Sequence, residues 1–128
     1  MARKEAFVVA VVDDDRRILR SLRSLLESVG YSPLLFTSAE AFLAANGIFE
    51  ADCLISDISL SGMSGIDLRD LACDSRPGLP VFLLTGKAEL LPEAETARHC
   101  GQLFLKPPDG LLLLKTLRGI SHDRIDLQ

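Results

Sequence analysis

Five polar residues follow apolar runs along this chain of 128 residues. Asp13 and Asp14 follow the run FVVAVV, and Asp57 follows the run CLIS. Further on, Thr85 follows VFLL and Lys106 follows LFL. Continuous apolar runs of this kind are typical of strands that are buried on both faces of a parallel sheet. Because ligands bind at the edge where the carboxyl ends of parallel strands meet, we expect these five side chains to share one cleft.

The chemistry of such a cleft favours a cation and a phosphoryl group. Three carboxylates in one place repel one another, and a proton or a cation must relieve that repulsion. Oxygen ligands suit Mg²⁺, which also keeps waters and phosphate oxygens in its shell. The Lys106 ammonium and the Thr85 hydroxyl add donors for phosphoryl oxygens. Asp57 stands alone before a Gly- and Ser-rich loop, so it is the best candidate for a nucleophile that forms an acyl phosphate.

Helical patterns alternate with these strands. Residues 18–29 place apolar side chains on one helical face, and Asp15 is interpreted as a helix cap. A capping-box pattern from Thr37 to Glu40 predicts a small helix over residues 39–45 that Asn46 and Gly47 terminate. Further helices are expected over residues 66–72, 92–100 and 111–118, the last closing at Gly119. The alternating order predicts an α/β, doubly wound parallel sheet with helices on both faces.

Composition excludes several classes of protein. A hydrophobic fraction of 48% with charges of both signs is typical of a soluble globule, and the length suits one domain. A net charge of -4 argues against direct nucleic-acid binding, and no apolar run approaches the roughly 20 residues of a membrane span. Three cysteines without a CxxC pair predict reduced, buried thiols in a cytoplasmic protein. We expect one domain over residues 1–120 and a tail or linker start over residues 121–128.

Four segments together resemble the receiver domain of two-component response regulators. They are VVDDD at 11–15, LISDISLSGMSGIDL at 54–68, FLLTG at 82–86 and FLKPP at 104–108. The resemblance spans about residues 7–118, and the GMSG stretch at 62–65 is most similar to regulators of nitrogen fixation and nodulation. It implies a flavodoxin-like (βα)5 sandwich with a five-stranded parallel sheet in the order 2-1-3-4-5.

The resemblance also implies roles at a phosphoryl site. Asp57 would accept phosphate from a phosphohistidine of a histidine kinase or phosphotransfer protein. Thr85 and Lys106 would then contact the phosphoryl oxygens, and Gly86, being small, would leave room for the donor. Such a protein catalyses its own phosphorylation and dephosphorylation, and does not turn over a separate substrate.

The implied cofactor is Mg²⁺. Asp14 would bind the ion directly, and Asp13 would help mostly through water. Asp57 and the backbone carbonyl of Ser59 would complete the protein ligands.

Two positions depart from the family pattern. The family usually has an aromatic switch residue three positions before the strand-five lysine, where this chain has Leu103, with Phe104 one residue later. Because a shift of one residue sends a strand side chain to the opposite face, we favour Phe104 as core, with a displaced aromatic switch as the alternative. Lys87 either leans over the phosphoryl site or, as we favour, is a solvated loop lysine.

The predicted function is a phosphorylation-dependent signalling switch that relays its state to an effector domain or a downstream protein. A homodimer, if one forms, is expected on the face of the fourth predicted helix, the fifth strand and the last helix. One alternative is a small Mg²⁺-dependent phosphatase of the haloacid dehalogenase type, whose DxD pattern Asp13 and Asp15 fit. Arg17 stands where that class has Thr or Val. Another alternative is a degenerate receiver that acts as a constitutive interaction module.

Overall fold

Five parallel strands form the sheet of this protein. The structure is a computed structural model, and it describes residues 6–86, 101–106 and 108–126. The strands lie in the order β2-β1-β3-β4-β5, which confirms the predicted α/β, doubly wound architecture. Their bounds are β1 Val8–Val12, β2 Ser32–Phe36, β3 Cys53–Asp57, β4 Val81–Thr85 and β5 Gly101–Leu105.

Helices cover both faces of the sheet. Within the described residues they are α1 Arg16–Ser28, α2 Ala39–Ala44, α3 Gly47–Glu50, α4 Gly65–Ser75 and α5 Gly110–Asp126. The helix predicted over residues 92–100 lies outside the described residues.

Two apolar cores result from the alternation of side chains along each strand. On one face, Val9 and Val11 belong to a cluster with Leu22 of α1 and Leu117 of α5. On the other face, Val12 belongs to a cluster with residues of α2, α3 and α4, namely Ala39, Phe42, Ile48, Leu68 and Ala72. We call these the α1/α5 core and the α2–α4 core. Such double coverage explains why the strands are apolar throughout.

The register of the strands brings their carboxyl ends to one edge of the sheet. Val12 is paired with Ser56, so the next residues along these strands are Asp13 and Asp57. The backbone amide of Lys106 donates to the carbonyl of Thr85 at 2.8 Å, which joins the ends of β4 and β5. The sheet therefore positions the predicted site by backbone pairing alone.

The structure contains one short helix that was not predicted, and it extends the last predicted helix. Asn46 adopts the left-handed conformation, with φ 61°, and ends α2 as expected, but the chain forms α3 directly afterwards. Burial of Ile48 in the α2–α4 core accounts for this extra turn. The predicted stop at Gly119 is also wrong, because α5 continues to Asp126. A glycine costs a helix only about 1 kcal/mol, and Ser121 beyond it lies 3.1 Å from the Tyr31 hydroxyl.

The cysteine prediction is confirmed in one place and wrong in another. Cys53 is a free, buried thiol, and burial raises its pKa to about 12. Cys73 is disulfide-bonded, so a reduced thiol was the wrong expectation there. Among the described helices, none has the length and apolarity that crossing a membrane requires.

Candidate functional site

The Lys106 ammonium lies between two buried carboxylates at the carboxyl edge of the sheet. Its Nζ is 2.9 Å from Oδ2 of Asp13 and 3.3 Å from Oδ2 of Asp57. Asp13 follows β1 directly, Asp57 ends β3 and Lys106 follows β5, so three strands contribute to this contact. The structure thus brings together three of the residues that the strand-end pattern singled out.

Asp13 is fully buried, and its two carboxylate oxygens differ in their hydrogen bonds. Its Oδ1 accepts a hydrogen bond from the amide of Asp15 at 2.8 Å. Within the described residues, Oδ2 has no hydrogen bond of good geometry, although the Lys106 ammonium is close. A buried carboxylate oxygen without a hydrogen bond is costly in a protein interior, and such atoms are concentrated at sites that bind a ligand or ion.

Asp57 is only 5% exposed, and its surroundings oppose its ionisation. Burial is the main cause that raises the pKa of Asp57 above its usual value, and the charge of Asp13 raises it further. The Lys106 ammonium and the backbone amide of Ser59, 3.4 Å from Oδ1, act in the opposite direction but do not cancel the effect. The site therefore has an excess of negative charge that an additional cation would relieve.

Lys106 stays charged in this environment. Burial alone would lower the pKa of Lys106, but its contacts with Asp13 and Asp57 outweigh burial and raise it. Its side chain remains 20% exposed, so the ammonium is accessible from the cleft. A fixed positive charge at this point is suited to stabilise the oxygens of a transferring phosphoryl group.

Three carboxylates at this edge are close enough to hold a metal ion. One oxygen each of Asp13, Asp14 and Asp57 lies within 4.8 Å of the other two, and Asp14 is exposed to solvent. These are hard oxygen donors, and the excess negative charge of the three carboxylates over the single ammonium fits a divalent cation. The residues present are therefore compatible with a bound metal.

Asp15 has a separate, structural task. Its carboxylate caps α1 by accepting from the amide of Arg17 at 2.9 Å, and it forms an exposed ion pair with the Arg17 guanidinium at 3.2 Å. This agrees with its interpretation as a helix cap. It also weighs against the phosphatase alternative, which needs the second Asp of the DxD pattern at the reaction centre.

Thr85 and Gly86 lie beside the carboxylates at the end of β4. Thr85 is buried, whereas Gly86 is exposed. A Cβ built on Gly86 would meet no heavy atom within 4 Å in the part of the chain that the structure describes. Lys87 lies outside the described residues.

Phe104 is a core residue. It is 8% exposed, belongs to the α1/α5 core, and its ring centroid lies 5.6 Å from that of Phe82. Leu103 is paired with Leu83 and packs against the α2–α4 core. Because side chains alternate along a strand, Thr85 shares the face of Leu83 and Leu103, and Phe104 points to the other face. A switching role for Leu103 stays a prediction.

Glu40 makes a contact that the sequence did not indicate. Its Oε2 accepts a hydrogen bond from the amide of Met63 at 2.9 Å, in the loop that follows β3. The cap of α2 is instead Ser38, whose hydroxyl accepts from the amide of Ala41. The capping-box interpretation was therefore wrong for Glu40. No spacing rule connects residues 23 positions apart, so no sequence signal could have revealed this bond.

Comparison with known families decides what this site belongs to. The family model of the response regulator receiver domain matches residues 9–118. The chain belongs to the response regulator receiver domain family. This receiver domain resembles the response regulator protein TmoT of Ectopseudomonas mendocina, with 34% identity over 78% of this chain and 46% of that protein. It also resembles the transcriptional regulatory protein FixJ of Bradyrhizobium diazoefficiens, with 34% identity over 78% of this chain and 49% of FixJ.

Solved structures agree with the family. A receiver domain protein of Methanospirillum hungatei superimposes with a TM-score of 0.82 at 26% identity, covering 95% of this chain and 99% of that one. The BeF3 activated DrrB receiver domain gives a TM-score of 0.79 at 26% identity, covering 92% of this chain and 99% of that one. The flavodoxin-like fold with sheet order 2-1-3-4-5 is thereby confirmed.

The family defines the general function. The receiver domain is a phosphoacceptor signalling switch of a two-component system, and neither alternative function is favoured. The predicted resemblance to nitrogen-fixation regulators is confirmed by the FixJ relatives. The chain spans about half the length of the curated relatives that it matches. Receiver domains of response regulators work together with kinases and effector domains, and an acidic cluster compatible with a metal ion is present here.

Proposed function

We propose that Asp57 is the phosphoacceptor and that it receives its phosphoryl group from a phosphohistidine of a histidine kinase or a phosphotransfer protein. The observation that carries this proposal is the Lys106 ammonium, which lies within 3.3 Å of Asp57 and 2.9 Å of Asp13. This contact puts a nucleophile, a second carboxylate and a fixed positive charge at one point of the sheet edge.

The reaction is an acyl-phosphate exchange. A carboxylate oxygen of Asp57 forms a bond to phosphorus, while the bond from phosphorus to the donor imidazole nitrogen breaks and its electron pair stays on that nitrogen. Lys106 and the Thr85 hydroxyl stabilise the phosphoryl oxygens. In a separate hydrolysis step, water forms a bond to phosphorus while the bond from phosphorus to the Asp57 oxygen breaks. This step releases inorganic phosphate, which keeps the protons of the water, and restores the Asp57 carboxylate, so the domain resets itself.

The metal that we propose is Mg²⁺. Asp14 would bind it directly, Asp13 would help mostly through water, and Asp57 and the Ser59 carbonyl would complete the protein ligands. When bound, Mg²⁺ neutralises the charge that accumulates on the carboxylates and the phosphoryl oxygens. Asp13 contributes a second buried carboxylate to the site, 2.9 Å from the Lys106 ammonium.

The partners of this domain are proposed from its surface. Exposed leucines on β5 and α5 support a homodimer or effector contact on that side of the domain: Leu105, Leu111 and Leu112. The domain boundary proposed near residue 120 falls within α5, so a linker to an effector domain would begin as a helical extension. We propose a cytoplasmic location and no direct contact with nucleic acid or membrane.

Phosphorylation by a small donor tests the proposal. Incubation with acetyl phosphate and Mg²⁺ should add one phosphoryl group, detected by intact-protein mass spectrometry, and Asp57→Asn should abolish it. The matched control is Asp52→Asn, because Asp52 lies just before β3, at the opposite end of the strand, and accepts a hydrogen bond from the amide of Val8 at 2.8 Å. Unchanged phosphorylation of the Asp57 variant would exclude the proposed acceptor.

A further inference from the structure

The loop after β3 begins at Asp57 and is fixed at its start. The amide of Ser59 donates to Asp57 Oδ1 at 3.4 Å, and the amide of Gly65 donates to the carbonyl of Ile58 at 2.9 Å. Ser64 ends the loop by capping α4 through the amide of Asp67. Residues 60–63 form the middle of the loop between these two fixed ends.

A carboxylate from α2 holds the middle of this loop. Oε2 of Glu40 accepts from the amide of Met63 at 2.9 Å. Gly62 has φ 78°, and a Cβ on it would lie 2.7 Å from the same Oε2. The left-handed backbone of residue 62 favours glycine, and the approach of the Glu40 carboxylate means that a larger side chain would displace the end of Glu40.

Glu40 binds the loop in its ionised form. The hydrogen bond from Met63 is the largest cause that lowers the pKa of Glu40 below its usual value, so the group is a carboxylate at neutral pH. Hydrogen bonds to ionised acceptors are about twice as strong as neutral ones. The loop also packs inward, since Leu60 and Met63 contact the α2–α4 core.

We propose that Glu40 is a positioning residue for the metal site, which holds the loop of residues 58–64 so that the Ser59 backbone stays beside Asp57. The inference rests on the proposed function, because it concerns the proposed metal ligand Ser59. Glu40 touches neither Asp57 nor Lys106 among its described contacts, so its effect passes through the loop backbone. Groups that hydrogen-bond a metal ligand directly typically change metal affinity by about 10- to 100-fold, and Glu40 acts one step further away, so we expect an effect at the lower end of this range.

The first test measures Mg²⁺ affinity without any phosphoryl transfer. Mg²⁺ titrations followed by thermal shift should show binding weakened about tenfold in Glu40→Ala. Glu40→Gln should retain most of the affinity, because its amide oxygen still accepts from Met63. The matched control is Glu50→Ala, which removes an exposed carboxylate from the neighbouring α3. Unchanged affinity in the alanine variant, or equal loss in the alanine and glutamine variants, would overturn the inference.

The second test approaches the contact from the loop. Gly62→Ala should also weaken Mg²⁺ binding, and part of its effect should disappear in the Glu40→Ala background, where the carboxylate that the new methyl group meets is gone. If the effects of Glu40→Ala and Gly62→Ala on Mg²⁺ affinity were fully additive in the double variant, the inference would be contradicted. Failure of the wild type to be phosphorylated would count against the proposed function instead, because the Mg²⁺ titration is read independently.

Discussion

Side chains in the interior of the sheet and at its carboxyl edge are buried to a similar extent, but the energetic effect of burial has the opposite sign in the two regions. In the interior, Leu54, Ile55 and Leu83 are at most 1% exposed, and burying their apolar surface stabilises the fold. At the carboxyl edge, Asp57 lies two residues beyond Ile55 and is 5% exposed, and Asp13 lies directly after β1 and is 0% exposed. Burying the charges of these carboxylates is costly. The comparison shows that stability and chemistry are separated along each strand by only a few ångströms.

The largest expected effect comes from the interior. Leu54→Ala should lower the free energy of unfolding by about 3 kcal/mol, because Leu54 is fully buried in the α2–α4 core and its removal leaves a cavity. Urea unfolding measures this change. If the two regions are separate, the folded variant should still be phosphorylated at a rate within about twofold of the wild type. A loss of stability below about 1 kcal/mol would contradict the claim that apolar burial in the interior of the sheet stabilises the fold.

Phe104 tests where the interior ends. Phe104→Leu should cost about 1.5 kcal/mol, because it removes volume and the ring contact with Phe82. If Phe104 is core, the shift of the Thr85 methyl resonance on phosphorylation should be the same in this variant as in the wild type. A stable variant that loses this shift would instead identify Phe104 as a displaced switch residue.

The smallest expected change in stability comes from the carboxyl edge of the sheet, and it is a gain, whereas both core variants lose stability. Asp57→Asn should raise the stability of the metal-free domain at neutral pH, because it removes a carboxylate whose ionised form burial and the charge of Asp13 disfavour. The folded pKa of Asp57 lies above its unfolded value. The cost of ionising it is therefore absent below the unfolded pKa, grows as pH rises through the folded pKa, and is constant above it.

Urea unfolding of the wild type and of Asp57→Asn, at several pH values in EDTA, tests whether the variant is the more stable of the two. The gain from Asp57→Asn should be largest at neutral pH and shrink as the pH falls toward the usual pKa of an aspartate. Added Mg²⁺ should stabilise the wild type more than the variant, so the difference between their free energies of unfolding should become smaller. A variant that is less stable than the wild type at pH 7 would show that the Lys106 contact outweighs the repulsion.

Local patterns predicted most of the fold and most of the site. The β-branched run FVVAVV and the amphipathic spacing of α1 depend on burial by neighbours that every such sheet provides, so they were readable from the chain alone. The strand-end rule likewise placed Asp13, Asp57 and Lys106 together, because the register of a parallel sheet aligns the ends of its strands.

What escaped prediction depends on contacts between distant parts of the chain. The continuation of α5 past Gly119 involves Tyr31, which is 90 positions before Ser121. The partner of Glu40 is in another loop, and the local pattern offered a plausible capping role instead. The unequal burial of Asp13 and Asp14 shows only once β1 is placed in the sheet, with one side chain directed inward and the other exposed.

The bridging position of Lys106 has a consequence for how the domain depends on its surroundings. Its ammonium is a built-in counter-ion at 2.9 Å and 3.3 Å from the two buried carboxylates. Folding of the domain therefore does not have to wait for a divalent cation, unlike that of proteins whose site assembles only around the metal. The domain should therefore unfold at a similar urea concentration with and without EDTA, and the carboxylates should already be in place when a cation binds.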